Sequence, residues 1–295
     1  MLSWLRYNEK LIRVHFTLIP MPIFLPYLLT TALYAILGFV FWRANWARQA
    51  AAPGPWLPRA RLAVLLPLAL HAWLLLAGSW VAGMLNIGLG DALSAIVWLT
   101  LVVYALSSLR QPVDALQALI LPVAALAVLL PLWLPAQPMQ LAASPLFLLH
   151  IGLSLLAYAL FTVAALHAGM MALLEKRLHA HAMNSALSNL PPLLTLERLL
   201  FNIIGIGFVL LTLALASGIL FSEQVFGKPF SFSHFTQHKT VFALLSWLTY
   251  AGLLAGRQRY GWRGRTAIAW SLTGFAMLVL AYLGSKVILH LLLGK

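Results

Sequence analysis

Apolar positions in this chain neither alternate nor gather on one helical face; they run on without interruption. Eight such stretches cover roughly 22–42, 62–83, 91–109, 113–134, 145–174, 199–221, 239–256 and 266–291. A helix crosses a bilayer with about 20 apolar residues, so the pattern predicts an all-α, polytopic integral membrane protein of about eight transmembrane helices. The fifth stretch, about 30 residues long, must tilt or extend past the headgroups. Prolines 22, 26, 67, 112, 122, 131, 191 and 192 mark helix starts and kinks, and Gly252-x-x-x-Gly256 suggests a close helix contact in the seventh span.

The gaps between spans alternate in charge. Arg43, Arg48, Arg59 and Arg61 separate the first two spans, Arg110 the third and fourth, Lys176, Arg177 and Arg198 follow the fifth, and Arg257, Arg259, Arg263 and Arg265 precede the eighth. The opposite gaps hold only Lys228. The positive-inside rule then places the basic side in the cytoplasm and both termini in the periplasm. Residues 1–20, with Arg6, Lys10 and Arg13, fit this order poorly. Two expectations follow: a native start at Met21, leaving 21–295 as one transmembrane domain, or a short amphipathic helix on the membrane surface.

Composition narrows the chemistry. The 295 residues are 62% hydrophobic and 8% charged, and the net charge of +13 reflects the basic gaps rather than a nucleic-acid surface. Cysteine is absent, which excludes disulfides, Fe–S clusters and C-x-x-C-H haem attachment but leaves haem held by histidine alone. The six acids all fall at span ends or in loops, whereas ion-coupled carriers keep a carboxylate at mid-membrane. No P-loop, Rossmann fingerprint, H-E-x-x-H or Gly-x-Ser-x-Gly occurs, and no nucleophile–base pair is visible, so the expectation is a protein that is not an enzyme.

What remains is histidine, an ionisable group that membranes tolerate when neutral and that ligates haem iron. His71 lies about 14 Å into span two; a hydrogen bond across helices competes with a ligand role. His150 sits near the outer end of span five, with Ser154 and Tyr158 on roughly the same face as possible orienting partners. His167, about 25 Å further along that helix, belongs to packing or interface snorkelling. His234 and His238 are spaced i, i+4 before span seven, a spacing that also suits zinc. His290 ends span eight, where interfacial anchoring is the alternative to ligation. By depth, His150, His238 and His290 converge on the outer third of the membrane. Lys239 and Lys286 lie beside two of them as partners for propionates, although a chance cluster of interfacial polar groups gives the same depths.

The run from His238-Lys-Thr-Val-Phe to Tyr250, Gly261-Trp-Arg-Gly-Arg, Gly274-Phe, Tyr282-Leu-Gly-Ser-Lys286 and Leu149-His-Ile-Gly-Leu-Ser-Leu-Leu-Ala-Tyr158 resembles the cytochrome c assembly superfamily of membrane haem-handling proteins. The resemblance covers roughly 145–290 and is strongest to the eight-span YpjD-like and HemX-like inner-membrane branch. It implies a haem site near the periplasmic face, with His150 at the place of an outer axial ligand and His290 close to that of the second. The chain departs from the haem exporters: His238 stands where they carry a tryptophan-rich motif, the 222–238 segment is short, and Ala255 replaces a membrane histidine. The resemblance therefore implies haem binding, sensing or an accessory role rather than delivery for covalent ligation.

The expectation is an inner-membrane protein holding haem b non-covalently through His150 with His238 or His290. His71 would orient that site or serve a deeper one, and haem, the lipid bilayer and other cytochrome c maturation or membrane proteins would be the partners. Two other readings stay open: a haem-free scaffold or regulator of haem synthesis acting through the Arg257–Arg265 loop, and a metal-linked membrane protein using His234 and His238.

Overall fold

A computed structural model describes residues 21–46, 57–81, 84–109, 114–134, 145–179, 192–220 and 238–284. Among these, eight helical segments are long and apolar enough to cross a membrane, running from Phe24–Asn45 to Arg265–Tyr282. The helices are α1 Met21–Trp46, α2 Leu57–Ala63, α3 Leu65–Ser79, α4 Leu89–Ser108, α5 Asp114–Ala127, α6 Leu130–Trp133, α7 Pro145–His179, α8 Leu193–Leu220, α9 His238–Tyr260 and α10 Arg265–Val279. The last continues as a π-type turn, Leu280–Gly284. A two-residue antiparallel pairing, Trp80–Val81 with Met84–Leu85, is the one strand pairing among the described residues.

Two spans are broken where proline dictates. A proline ring clashes with the carbonyl four residues earlier and offers no N–H. Pro67 therefore divides the second span at Val64, between α2 and α3, and Pro131 divides the fourth after Ala127, between α5 and α6. Helix α8 begins at Leu193, earlier than the hydrophobic run suggests; in its second turn the Glu197 carboxylate accepts the Gly264 N–H at 3.5 Å and lies 3.8 Å from Arg263.

The bundle has two packed groups joined through α7. In the first, α5 lies against α1, where Gly38 leaves room for the Pro122 ring. Helix α4 also packs on α5; at Gly90 a Cβ would come within 2.5 Å of the Leu130 carbonyl oxygen. In the second group α7 lies along α8 and α10, and α9 packs on α10. Helix α4 meets α7 between them. Phe161 stacks on Tyr250 at 3.9 Å, and the Tyr250 ring lies over Gly274. The small residues Gly252 and Gly256 make a close helix contact of a particular kind. They do not bring two backbones together; Trp270 and Trp262 rings occupy the space that their missing side chains leave.

Several polar groups are placed at helix ends or bonded across helices, while the buried Gln117 amide has no hydrogen-bond partner among the described residues. Asp91 accepts the Gly88 N–H at 2.8 Å at the start of α4, where a carboxylate also suits the helix dipole. Arg61 holds Asp114 with two bonds, at 2.8 and 2.5 Å, joining α2 to the start of α5.

Candidate functional site

His150 lies on α7 about 7.5 Å from its first residue, at the end of the bundle opposite the arginine-rich turn between α9 and α10. Its ring reaches α8, where Nδ1 is 2.9 Å from the Ser217 hydroxyl. The Ser217 hydroxyl donates its own proton to the Ala214 carbonyl at 2.9 Å. The Ser217 hydroxyl thus meets both the His150 ring and the Ala214 carbonyl, and holds the Nδ1 edge of the ring against α8. Gly218 completes the seat, since a Cβ there would stand 3.2 Å from the His150 ring.

This differs from the orienting stripe expected along α7. The Ser154 hydroxyl donates to the His150 backbone carbonyl at 2.8 Å, and the Tyr158 hydroxyl donates to the Leu278 carbonyl at 3.2 Å. Neither of these bonds is made to the imidazole. A helical serine turns back on its own i−4 carbonyl readily, and this leaves the orienting role to the neighbouring helix.

Lys239, in the first turn of α9, lies 5.9 Å from the centre of the Tyr282 ring. Tyr282 belongs to the π-type turn ending α10 and meets Tyr158 edge-on at 5.9 Å. Such turns often occur at functional sites. Helices α7, α8, α9 and α10 thus bring one imidazole, one cation and two tyrosines together. Sequence reasoning named His150 and Lys239 but missed Ser217 and the role of Tyr282; an isolated serine in an apolar run carries no periodic signal. An apolar cavity of about 220 Å³ lined by Leu75, Leu76, Ile87, Leu148 and Leu155, with Asp91 at its edge, lies beside the same stretch of α7.

The remaining candidates are distributed differently. His71 is buried, with Nδ1 3.3 Å from the Tyr34 hydroxyl and Nε2 2.8 Å from the Ser94 hydroxyl, so hydrogen bonds from α1 and α4 occupy both nitrogens. His167 does not snorkel to an interface; it is buried, stacked on Tyr104, and donates from Nδ1 to the Val163 carbonyl at 2.9 Å. His238 opens α9, but its side chain, like His234, Lys286 and His290 entirely, lies outside the described residues. Among the described residues no three of His, Asp and Glu gather as a metal cluster.

The model of the cytochrome C assembly protein family matches residues 61–293. The chain belongs to that family. Among its relatives, the inner membrane protein YpjD of Escherichia coli K12 is 36% identical over 156 residues, 52% of this chain and 56% of that one. The matched stretch is thus about half the length of the E. coli relative. An uncharacterized 28.8 kDa protein in a nifR3-like 5′ region of Azospirillum brasilense is 32% identical over 236 residues, 76% of this chain and 82% of that one. The cytochrome c biogenesis protein CcsA of Thermosynechococcus vestitus is 36% identical over 101 residues, 34% of this chain and 29% of its own. No solved structure matches.

Proposed function

We propose that this family member is a haem-handling protein of the bacterial inner membrane. It holds haem b without a covalent bond near the periplasmic face and serves haem supply or cytochrome c maturation in an accessory or regulatory role. The observation that carries this reading is the seat of His150 against α8. A histidine that ligates iron is oriented through its other nitrogen by a fixed partner, and the Ser217 hydroxyl, 2.9 Å from His150 Nδ1, is such a partner.

Histidine donors suit the group: His150 would supply one imidazole to the iron, and His238 or His290 would supply the second. The Lys239 ammonium, with Lys286, would offset propionate charge, and Tyr282 and Tyr158 form an aromatic wall beside Lys239. When bound, haem supplies an iron centre to be presented or sensed, and the protein adds no bond-making step of its own. His71, with both nitrogens occupied, is assigned to holding α1, α3 and α4 in register behind the site. The names of the E. coli and cyanobacterial relatives support the membrane and the process; the basic turns support a cytoplasmic arginine-rich end and periplasmic termini.

The test is an optical spectrum of the purified chain after expression with added haem precursor. A Soret band that His150→Ala removes, and that His238→Ala or His290→Ala shifts to a five-coordinate form, is the expected result. A wild-type protein without a Soret band overturns the proposal.

A further inference from the structure

At the arginine-rich end, between α8 and α9, lies a cavity of about 290 Å³ lined by Phe201, Asn202, Leu254, Arg257 and Gln258. The Arg257 guanidinium carbon stands 3.7 Å from the centre of the Phe201 ring, so one face of the cation rests on an aromatic surface. Its Nη1 is buried and has no hydrogen-bond partner among the described residues. Guanidinium is a donor-only group that matches phosphate geometry, and a buried donor without an acceptor is costly. The acid near this turn, Glu197, is already engaged by Gly264 and Arg263. Arg198, Arg259 and Arg265, at the same ends of α8, α9 and α10, are exposed.

A second observation identifies what kind of molecule brings the anion. Asn202, Ile206, Val209 and Leu213 are exposed at helical spacing along α8, running from the cavity toward mid-membrane. The apolar members of that stripe face lipid and offer acyl chains a track. We propose that this cavity is a binding site for an anionic phospholipid. Arg257 holds the headgroup phosphate, the exposed amides of Asn202 and Gln258 complete its hydrogen bonds, and the chains lie along Ile206, Val209 and Leu213. Basic pockets between transmembrane helices bind anionic headgroups in this manner.

The site is separate from His150 and does not depend on haem. The full chain is delipidated, returned to mixed nanodiscs of phosphatidylglycerol and phosphatidylcholine, and read by native mass spectrometry. The expected result is a retained phosphatidylglycerol favoured about tenfold, the equivalent of one charge-assisted hydrogen bond. Arg257→Gln should reduce that preference to about twofold, whereas Arg259→Gln, on the exposed face of the same turn, should leave it in place. Should Arg257→Gln fail to fold, the double variant Asn202→Leu with Gln258→Leu reads the same site from exposed positions. Unchanged preference in the site variants overturns the proposal. So does inorganic phosphate alone binding in detergent and displacing the lipid, which would assign the cavity to a soluble phosphate.

Discussion

A single hydroxyl ties His150 to its neighbouring helix: Ser217 lies 2.9 Å from the ring's Nδ1 and donates to the Ala214 carbonyl. Ser217→Ala removes that tie, and changes to the partner that orients a ligating histidine cost about 10–100-fold in affinity. Haem titration of the variant, followed at the Soret band, should show a loss in that range with the fold unchanged by circular dichroism. Gly218→Ala tests the same seat from the other side: its methyl would press on the His150 ring at 3.2 Å, and a comparable loss is expected. The histidine was legible from its place at a span end. Its partner was not, because Ser217 is 67 positions away and only the packing of α7 on α8 makes them neighbours.

Among the helices, the hydrophobic runs located every span but could not show which prolines break them. Pro67 and Pro131 interrupt their spans; Pro26 and Pro122 sit inside helices. A neighbour accounts for one of these, since Gly38 of α1 leaves room for the Pro122 ring. The glycine pair in α9 was legible as a contact, while the indoles that fill it were not. Gly274→Leu would drive a side chain into the Tyr250 ring, already 2.8 Å from the place of a Cβ. Overpacking of this kind costs about 1–3 kcal/mol, measurable as a lowered thermal midpoint of the detergent-solubilised protein. At the other group of helices, Asp114→Asn leaves Arg61 with a neutral partner. Hydrogen bonds to charged groups contribute about 1.5–3 kcal/mol, so a similar destabilisation is expected from the same measurement.

For the whole molecule, charge alternation between spans sets a topology that the lack of cysteine makes simple to check. Single cysteines introduced as Asn86→Cys and Arg263→Cys occupy opposite ends of the bundle. A membrane-impermeant maleimide added to intact cells should label the first and spare the second; the reverse pattern would invert the assigned orientation. The family match and the eight spans stand under either result.

Helix α7 is 35 residues long, about 52 Å from end to end, against a hydrocarbon layer of about 30 Å. A rod of that length cannot be hidden in lipid, so its Glu175-Lys176-Arg177 end must emerge as a handle in water or tilt the whole rod. Because α7 runs unbroken along both α8 and α10, a pivot of ten degrees about its midpoint would carry each tip about 4–5 Å. A protein bound at the handle would reach the imidazole on the far side if the rod swings as a unit. Distances between spin labels at the two tips, recorded with and without such a partner, would show whether the rod swings.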